Sequence, residues 1–165
     1  TENKPGVLYR IADLFLRRKI NIESLTVSEI EAKGLSRFTV VVKADEHIIE
    51  KVVKQLYRII EVVKVFEKTD EELVFREIAL LKVSTKTPQQ REAVEKTAIL
   101  CQAKIILVGS DFLMLEKSGT EEEINTLYTL VKPFGIKEYV RSGRVALSKG
   151  DEFTGKFGKL FQGDK

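Results

Sequence analysis

Two asparagines and a glycine near the start of the chain have the chemistry of a binding site for a small charged molecule. Asn3 and Gly6 belong to the polar turn NKPG, residues 3 to 6, and Asn21 follows the helix that this turn opens. An asparagine side chain offers both amide donors and a carbonyl acceptor, and glycine permits close approach to the backbone. These residues can therefore hold a carboxylate and an ammonium without a buried protein charge.

The first turn of the same helix supplies further donors. The backbone N–H groups of Gly6, Val7 and Leu8 lie where a helix leaves its N–H groups without acceptors, and the helix dipole favours a carboxylate there. A free amino acid would fit this combination. The competing interpretation is structural, with Asn3 as a turn residue, Gly6 as a helix-entry residue and Asn21 as a helix-end residue.

Catalytic groups are scarce in the sequence. His47, the single histidine, stands beside two carboxylates at a helix start and is interpreted as a solvated residue. Cys101, the single cysteine, excludes an internal disulfide framework and a cysteine-based metal cluster, and it is interpreted as an apolar core residue. Phosphate-binding glycine motifs and CxxC pairs do not occur. The sequence therefore predicts no catalytic activity and no bound metal.

Composition and charge narrow the class of protein. The chain has 165 residues, of which 43% are hydrophobic and 32% charged, which is typical of one globular domain or two small ones. The net charge of +3 is spread along the chain without a basic block, so nucleic acid is not an expected partner. An RNA-recognition sheet is also excluded, because residues 34 to 42 offer one aromatic side chain for stacking. Apolar runs are too short to span a membrane, and we expect a cytoplasmic protein.

Hydrophobic periodicity predicts the elements of the first half. Apolar residues recur at helical spacing over residues 5 to 18, and residues 21 to 30 and 35 to 43 alternate as two strands joined by a turn that contains Gly34. A second helix is predicted from its cap at Asp45 to Ile60, and a strand over residues 62 to 68.

The second half repeats this pattern at an offset of about 75 residues. Strands are predicted over residues 77 to 84, 104 to 108, 112 to 117 and 136 to 141, and capping boxes at Thr87 and Thr120 announce two helices. The order βαββαβ predicts an α+β fold of two ferredoxin-like domains, each an antiparallel sheet with helices on one face. The leading strand of the first copy is missing from the given chain, and we expect the full-length protein to supply it.

The predicted domains are residues 1 to 69 and 75 to 150, followed by a basic tail over residues 151 to 165. The strand-to-helix turn of the second domain, residues 84 to 88, lacks glycine, so this domain is expected to serve dimerisation and partner contact. The tail carries Phe153, Phe157 and Phe161 at helical spacing. It is interpreted as disordered, with an amphipathic segment that docks on a partner as the alternative.

Several segments together resemble one known family. The stretches NKPGVLYRIADLF, NIESLTV, LSRFTV, REIALLKV and VRSGRVALSKG are similar to the small regulatory subunit of acetohydroxyacid synthase (acetolactate synthase), which has two ACT-type domains. The resemblance covers residues 1 to about 150. It implies a non-catalytic subunit that binds and activates a large catalytic subunit and confers feedback inhibition by a branched-chain amino acid, usually valine. Thiamine diphosphate, flavin and magnesium would belong to that catalytic partner and not to this chain.

The resemblance also implies where the effector binds. In the family it lies at the interface of two N-terminal ACT domains of a homodimer. The expected contacts here are Asn3, Gly6, Val7, Leu8, Asn21 and Ile22. Lys19 replaces a glycine that is common in the family, at a position where a left-handed turn is expected. The alternative to a regulatory subunit is a stand-alone amino-acid-sensing ACT dimer without an enzyme partner.

Overall fold

The structure, a computed structural model, describes residues 1 to 150; the predictions about the tail and its three phenylalanines lie outside the described residues. The chain divides into two units. The second unit is Phe75–Gly143, and the first consists of Thr1–Val74 together with the chain from Arg144 to the end of the described residues. Residues 144 to 150, which the sequence pattern predicts as part of the second domain, therefore belong to the first unit.

Helices and strands alternate in the described part of the chain. The α-helices are α1 (Val7–Arg17), α2 (Glu46–Leu56), α3 (Pro88–Leu100) and α4 (Glu121–Val131). The strands are β1 (Ile22–Glu29), β2 (Ser36–Val42), β3 (Leu73–Ser84), β4 (Lys104–Val108), β5 (Phe112–Gly119), β6 (Ile136–Arg141) and β7 (Val145–Ser148). Short 3₁₀ turns lie at Asp70–Glu72 and Lys132–Phe134.

The first unit packs two helices on one face of a hairpin. β1 and β2 pair antiparallel, with Ile22 opposite Val42 and Glu29 opposite Ser36. The buried core consists of Val7, Ile11, Leu14 and Phe15 of α1 with Val52 of α2. These residues recur every three to four positions along α1, so one face of the helix is apolar and is buried against the strands.

The strand predicted over residues 62 to 68 is wrong, and α2 ends at Leu56 rather than at residue 60. A strand needs a hydrogen-bonded neighbour, and in the ferredoxin-like order the last strand pairs with the first. Here residues 1 to 3 occupy that first position: Thr1 and Ser36 exchange backbone hydrogen bonds, and the Glu2 N–H donates to the Glu61 carbonyl at 2.8 Å. This short stretch pairs at Glu61, and residues 62 to 68 form no ladder with any described residue.

The second unit confirms the predicted ferredoxin-like architecture. Its antiparallel strands lie in the order β4-β5-β3-β6. The core is formed by apolar side chains of the two helices and of the inner strands: Ala79, Leu81, Val83, Val94, Ala98, Leu113, Leu115, Ile124, Leu127 and Val131. On β3 and β5 these buried residues alternate with exposed or half-buried ones, as expected for a sheet covered by helices on one face.

Side-chain caps fix where the helices of the second unit begin. Thr87 Oγ1 accepts a hydrogen bond from the Gln90 N–H at 3.2 Å. Thr120 and Glu123 form both bonds of a capping box. Both predicted helix starts are confirmed. Asp45 stands at the predicted N-cap of α2, but its side chain makes no capping hydrogen bond.

Lys19 adopts the left-handed conformation expected after α1, with φ of 56°. The Lys19 N–H donates to the Leu16 carbonyl and the Ile20 N–H to the Phe15 carbonyl, which is the hydrogen-bond pattern of a Schellman motif. A lysine side chain is strained in this conformation, whereas glycine is not.

Lys19→Gly is therefore expected to stabilise the first unit by about 0.5 to 1 kcal/mol. Urea unfolding followed by circular dichroism measures the change. The matched control is Arg18→Gly, because Arg18 has an ordinary right-handed conformation at the same helix end, and glycine there should destabilise. Equal effects of the two substitutions would show that the left-handed turn stores no strain.

The segment from Arg144 to Lys149 packs on the hairpin of the first unit. The Arg144 N–H donates to Ser24 Oγ at 3.0 Å, and Thr26 Oγ1 donates to the Arg144 carbonyl at 2.7 Å. The Arg144 guanidinium pairs with both carboxylate oxygens of Asp70 at 3.0 and 3.1 Å. Periodicity did not predict β7, because four residues are too few to show a pattern.

Candidate functional site

The start of α1 is open to an anion. Gly6 is its N-cap, with φ of 86°, no side chain caps the helix, and its first turn contains no acidic residue. The other helices in the described part of the chain differ: Thr87 caps α3, Thr120 caps α4, and α2 carries Glu46 in its first turn. In the described part of the chain, α1 is therefore the α-helix that has neither a capping side chain nor an acidic residue in its first turn.

The three predicted N–H donors are not equivalent. The Val7 N–H donates to the Lys4 carbonyl at 3.4 Å, and the Val7 side chain is buried in the core. The N–H groups of Gly6 and Leu8 have no protein acceptor among residues 1 to 150. Leu8 is exposed, and a Cβ added at Gly6 would meet no atom within 4 Å. Gly6 and Leu8 thus provide two free donors beside open space.

Asn3 and Lys4 lie in the turn that precedes α1. The Asn3 N–H donates to the Gly34 carbonyl at 2.7 Å, which fixes the backbone and leaves the side chain exposed. Lys4 Nζ lies 2.5 Å from a carboxylate oxygen of Glu2, and this hydrogen bond raises the pKa of Lys4. The Lys4 ammonium and the Glu2 carboxylate therefore form an ion pair in the turn that precedes α1.

Asn21 and Ile22 lie at the other end of α1. Asn21 is exposed and directly precedes β1. Ile22 is half-buried, pairs with Val42 and packs against the core of the first unit. The left-handed turn at Lys19 directs the chain from the helix into the strand, so it sets the position of Asn21.

The structure does not bring Asn3 and Asn21 together within one chain. The 11 residues of α1 lie between them and span about 16 Å. The strands agree with this separation, because Asn3 bonds near the start of β2 while Asn21 lies beside its end, about 20 Å along a strand of seven residues. One amino acid cannot reach both asparagines of the same chain, so the expected effector contacts would form two separate half-sites, one at each end of α1.

His47 and Cys101, the two residues considered for catalysis, lie in different elements and do not form a catalytic site together. His47 is exposed in the first turn of α2. Cys101 is half-buried at the end of α3, and burial raises the pKa of its thiol, which keeps it neutral at pH 7. Over residues 1 to 150, no three His, Cys, Asp or Glu side chains are grouped so that they could hold a metal ion.

No helix in the described part of the chain is both long enough and apolar enough to cross a membrane.

Two family models match the chain, one in each half. A family model described as the small subunit-like ACT domain of AHAS matches residues 1 to 64. A second, described as the small subunit of acetolactate synthase, matches residues 76 to 150. The two matches together cover most of the chain.

Individual relatives agree with the family models. The chain is 44% identical to a probable acetolactate synthase small subunit of Archaeoglobus fulgidus, over 92% of this chain and 94% of that one. It is also 44% identical to the acetolactate synthase small subunit of Aquifex aeolicus, over 89% of this chain and 77% of that one. Among solved structures, the acetolactate synthase small subunit of Thermotoga maritima matches with a TM-score of 0.82 and 36% identity, over 90% of this chain and 92% of that one.

Proposed function

Because the chain belongs to the family of acetolactate synthase small subunits, we propose that it binds and activates the large catalytic subunit and makes the synthase sensitive to a branched-chain amino acid, with valine as the expected effector. Thiamine diphosphate, flavin and magnesium are expected on the catalytic partner. The cytoplasm remains the expected location of the complex.

The open start of α1 is the observation that supports effector binding most strongly. The effector carboxylate would accept hydrogen bonds from the N–H groups of Gly6 and Leu8, with the Asn3 amide as a further donor. The side-chain carbonyl of Asn21 would accept a hydrogen bond from the effector ammonium.

The separation of the half-sites supports a pocket made by two chains. A two-fold dimer places the Asn3 half-site of one copy beside the Asn21 half-site of the other and forms two equivalent pockets. Apolar side chains on α1 and on β1 support pairing of these elements, since Tyr9, Leu16 and Val27 are exposed. A second copy would cover them and complete the pocket.

Reconstitution with the catalytic subunit tests the proposed function. The purified chain is expected to form no acetolactate from pyruvate, to raise the rate of the large subunit, and to make that rate fall when valine is added. Leucine, isoleucine and alanine serve as comparison effectors in the same assay. Turnover by the chain alone, or a large-subunit rate that the chain leaves unchanged, would contradict the proposal.

Co-purification separates this proposal from a stand-alone amino-acid sensor. A regulatory subunit is expected to recover a large thiamine-dependent synthase in stoichiometric amount from the source cell. A stand-alone sensor would bind the effector and recover no such partner.

A further inference from the structure

A β-bulge separates the predicted effector residue Asn21 from the rest of β1. Ile22 and Ser24 lie opposite consecutive residues of β2, so Glu23 is an extra residue in β1 without a partner on β2. Bulges recur beside functional sites, where they change the direction of nearby side chains. The bulge at Glu23 comes two residues after Asn21, close enough to influence where the Asn21 side chain points.

The bulge sets which face of the hairpin each side chain joins. Ile22 lies opposite Val42, and both pack against the core of the first unit, on the face that the helices cover. Ser24 lies opposite Val41, the neighbour of Val42 on β2, so Ser24 is on the other face. In a regular strand, residues two positions apart share one face. The bulge therefore sets the direction of the side chains at the start of β1, including Asn21.

Ser24 connects the bulge to a fixed point outside the hairpin. Its Oγ accepts a hydrogen bond from the Arg144 N–H at 3.0 Å, and Thr26 Oγ1 donates to the Arg144 carbonyl at 2.7 Å. The Arg144 guanidinium pairs with both carboxylate oxygens of Asp70, and the Arg144 side chain is 16% exposed. Because Arg144 is held at its backbone and at its side chain, it can restrain β1 beside the bulge.

A second contact at the bulge, an ion pair, is weaker. Glu23 pairs with Lys43 at 3.1 Å, but the Lys43 side chain is 87% exposed. Exposed ion pairs contribute little, because water screens the charges and two long side chains lose conformational freedom. The bond to Ser24 is partly buried, and its loss would leave the Arg144 N–H without this acceptor. The Ser24 contact is therefore the stronger restraint on the bulge.

We propose that Ser24 is a positioning residue for the effector: by holding the Arg144 N–H, it fixes the bulge at Glu23 and directs the Asn21 side chain into the shared pocket. This inference rests on the proposed function, because it needs an effector bound at Asn21. Ser24 does not contact the effector itself. Without its hydrogen bond the start of β1 would be free to rotate, and the Asn21 carbonyl would meet the effector ammonium less often.

Valine titration of the reconstituted synthase tests this role. Ser24→Ala is expected to raise the valine concentration for half-inhibition about 3- to 10-fold, as the loss of one partly buried hydrogen bond implies. Ser24→Thr keeps a hydroxyl on the same carbon and should retain the wild-type curve. Ser28→Ala is the matched control, because Ser28 is an exposed serine farther along the same strand. It should leave the curve unchanged.

A double-mutant cycle separates positioning from a general effect on the fold. In an Asn21→Ala background, Ser24→Ala should weaken inhibition no further, because the contact through which Ser24 acts is already absent. Weakening by the same factor in both backgrounds would assign Ser24 to a structural role and overturn the inference.

The results also distinguish this inference from the proposed function. A wild-type synthase that valine does not inhibit overturns both together. Inhibition that Asn21→Ala weakens and Ser24→Ala leaves unchanged overturns the positioning role alone. Support requires three results: Ser24→Ala weakens inhibition, Ser24→Thr does not, and the effect of Ser24→Ala disappears in the Asn21→Ala background.

Discussion

Asn3→Ala and Asn21→Ala are each expected to weaken effector inhibition of the reconstituted synthase about 10- to 150-fold. In the proposed pocket, each substitution would remove a hydrogen bond to a charged end of the amino acid, which would cost about 1.5 to 3 kcal/mol. The measurement is a valine titration of the synthase rate with wild-type and variant subunits.

Stimulation of the catalytic subunit should survive both substitutions, because the asparagines contact the effector in the proposed pocket and not the partner. Asn125→Ala is the matched control, since Asn125 is an exposed asparagine on α4 of the second unit. Its inhibition curve should be that of the wild type. Unchanged curves for both Asn3→Ala and Asn21→Ala would assign these residues to turn and helix-end roles only.

A mixed dimer tests whether two chains share each pocket. In a dimer of one Asn3→Ala chain and one Asn21→Ala chain, one shared pocket carries both substitutions and the other carries neither. Differently tagged chains allow this dimer to be purified, and it should bind valine at one wild-type site by calorimetry. In each variant homodimer both pockets carry one substitution, so neither pocket should be a wild-type site. A mixed dimer without a wild-type site would show that the pocket lies within single chains.

Arg141→Met is expected to lower the free energy of unfolding of the second unit by about 3 kcal/mol. Arg141 Nε donates a hydrogen bond to the buried carboxylate of Glu77, and its guanidinium also lies 3.8 Å from Glu121. Burial by itself would lower the pKa of Arg141, but the Glu77 carboxylate raises it above its ordinary value. Without the guanidinium, the buried carboxylate of Glu77 loses its hydrogen bond and ion pair with Arg141.

Urea unfolding measures this effect, with two further variants as controls. Lys96→Met removes an ion pair of the same unit that is exposed, with Glu92, and should cost less than about 0.5 kcal/mol. The double variant Glu77→Gln with Arg141→Met should recover more than half of the loss, because the buried charge of Glu77 is then absent. An Arg141→Met variant as stable as Lys96→Met would show that Glu77 does not need this partner.

Elements whose signals are local were predicted well. β4 and β6 have the bounds expected from their apolar runs, and Thr87 and Thr120 begin the helices that their capping patterns announce. The left-handed turn at Lys19 was expected from the resemblance, because the family commonly has glycine at this position. Elements that depend on distant partners were predicted less well. Residues 62 to 68 have strand-forming side chains but no ladder, and β7 is too short for periodicity to show.

The sequence by itself indicated the βαββαβ order of the second unit, the residues proposed to bind a free amino acid, and the resemblance that led to the family. These features depend on side-chain type and spacing over a few neighbouring residues. Only the tertiary structure decided that Asn3 and Asn21 lie at opposite ends of α1, that the Val7 N–H is already used, and that residues 144 to 149 return to the hairpin of the first unit. The physical reason is that helix length, strand register and long-range hydrogen bonds set distances between residues that no local pattern encodes.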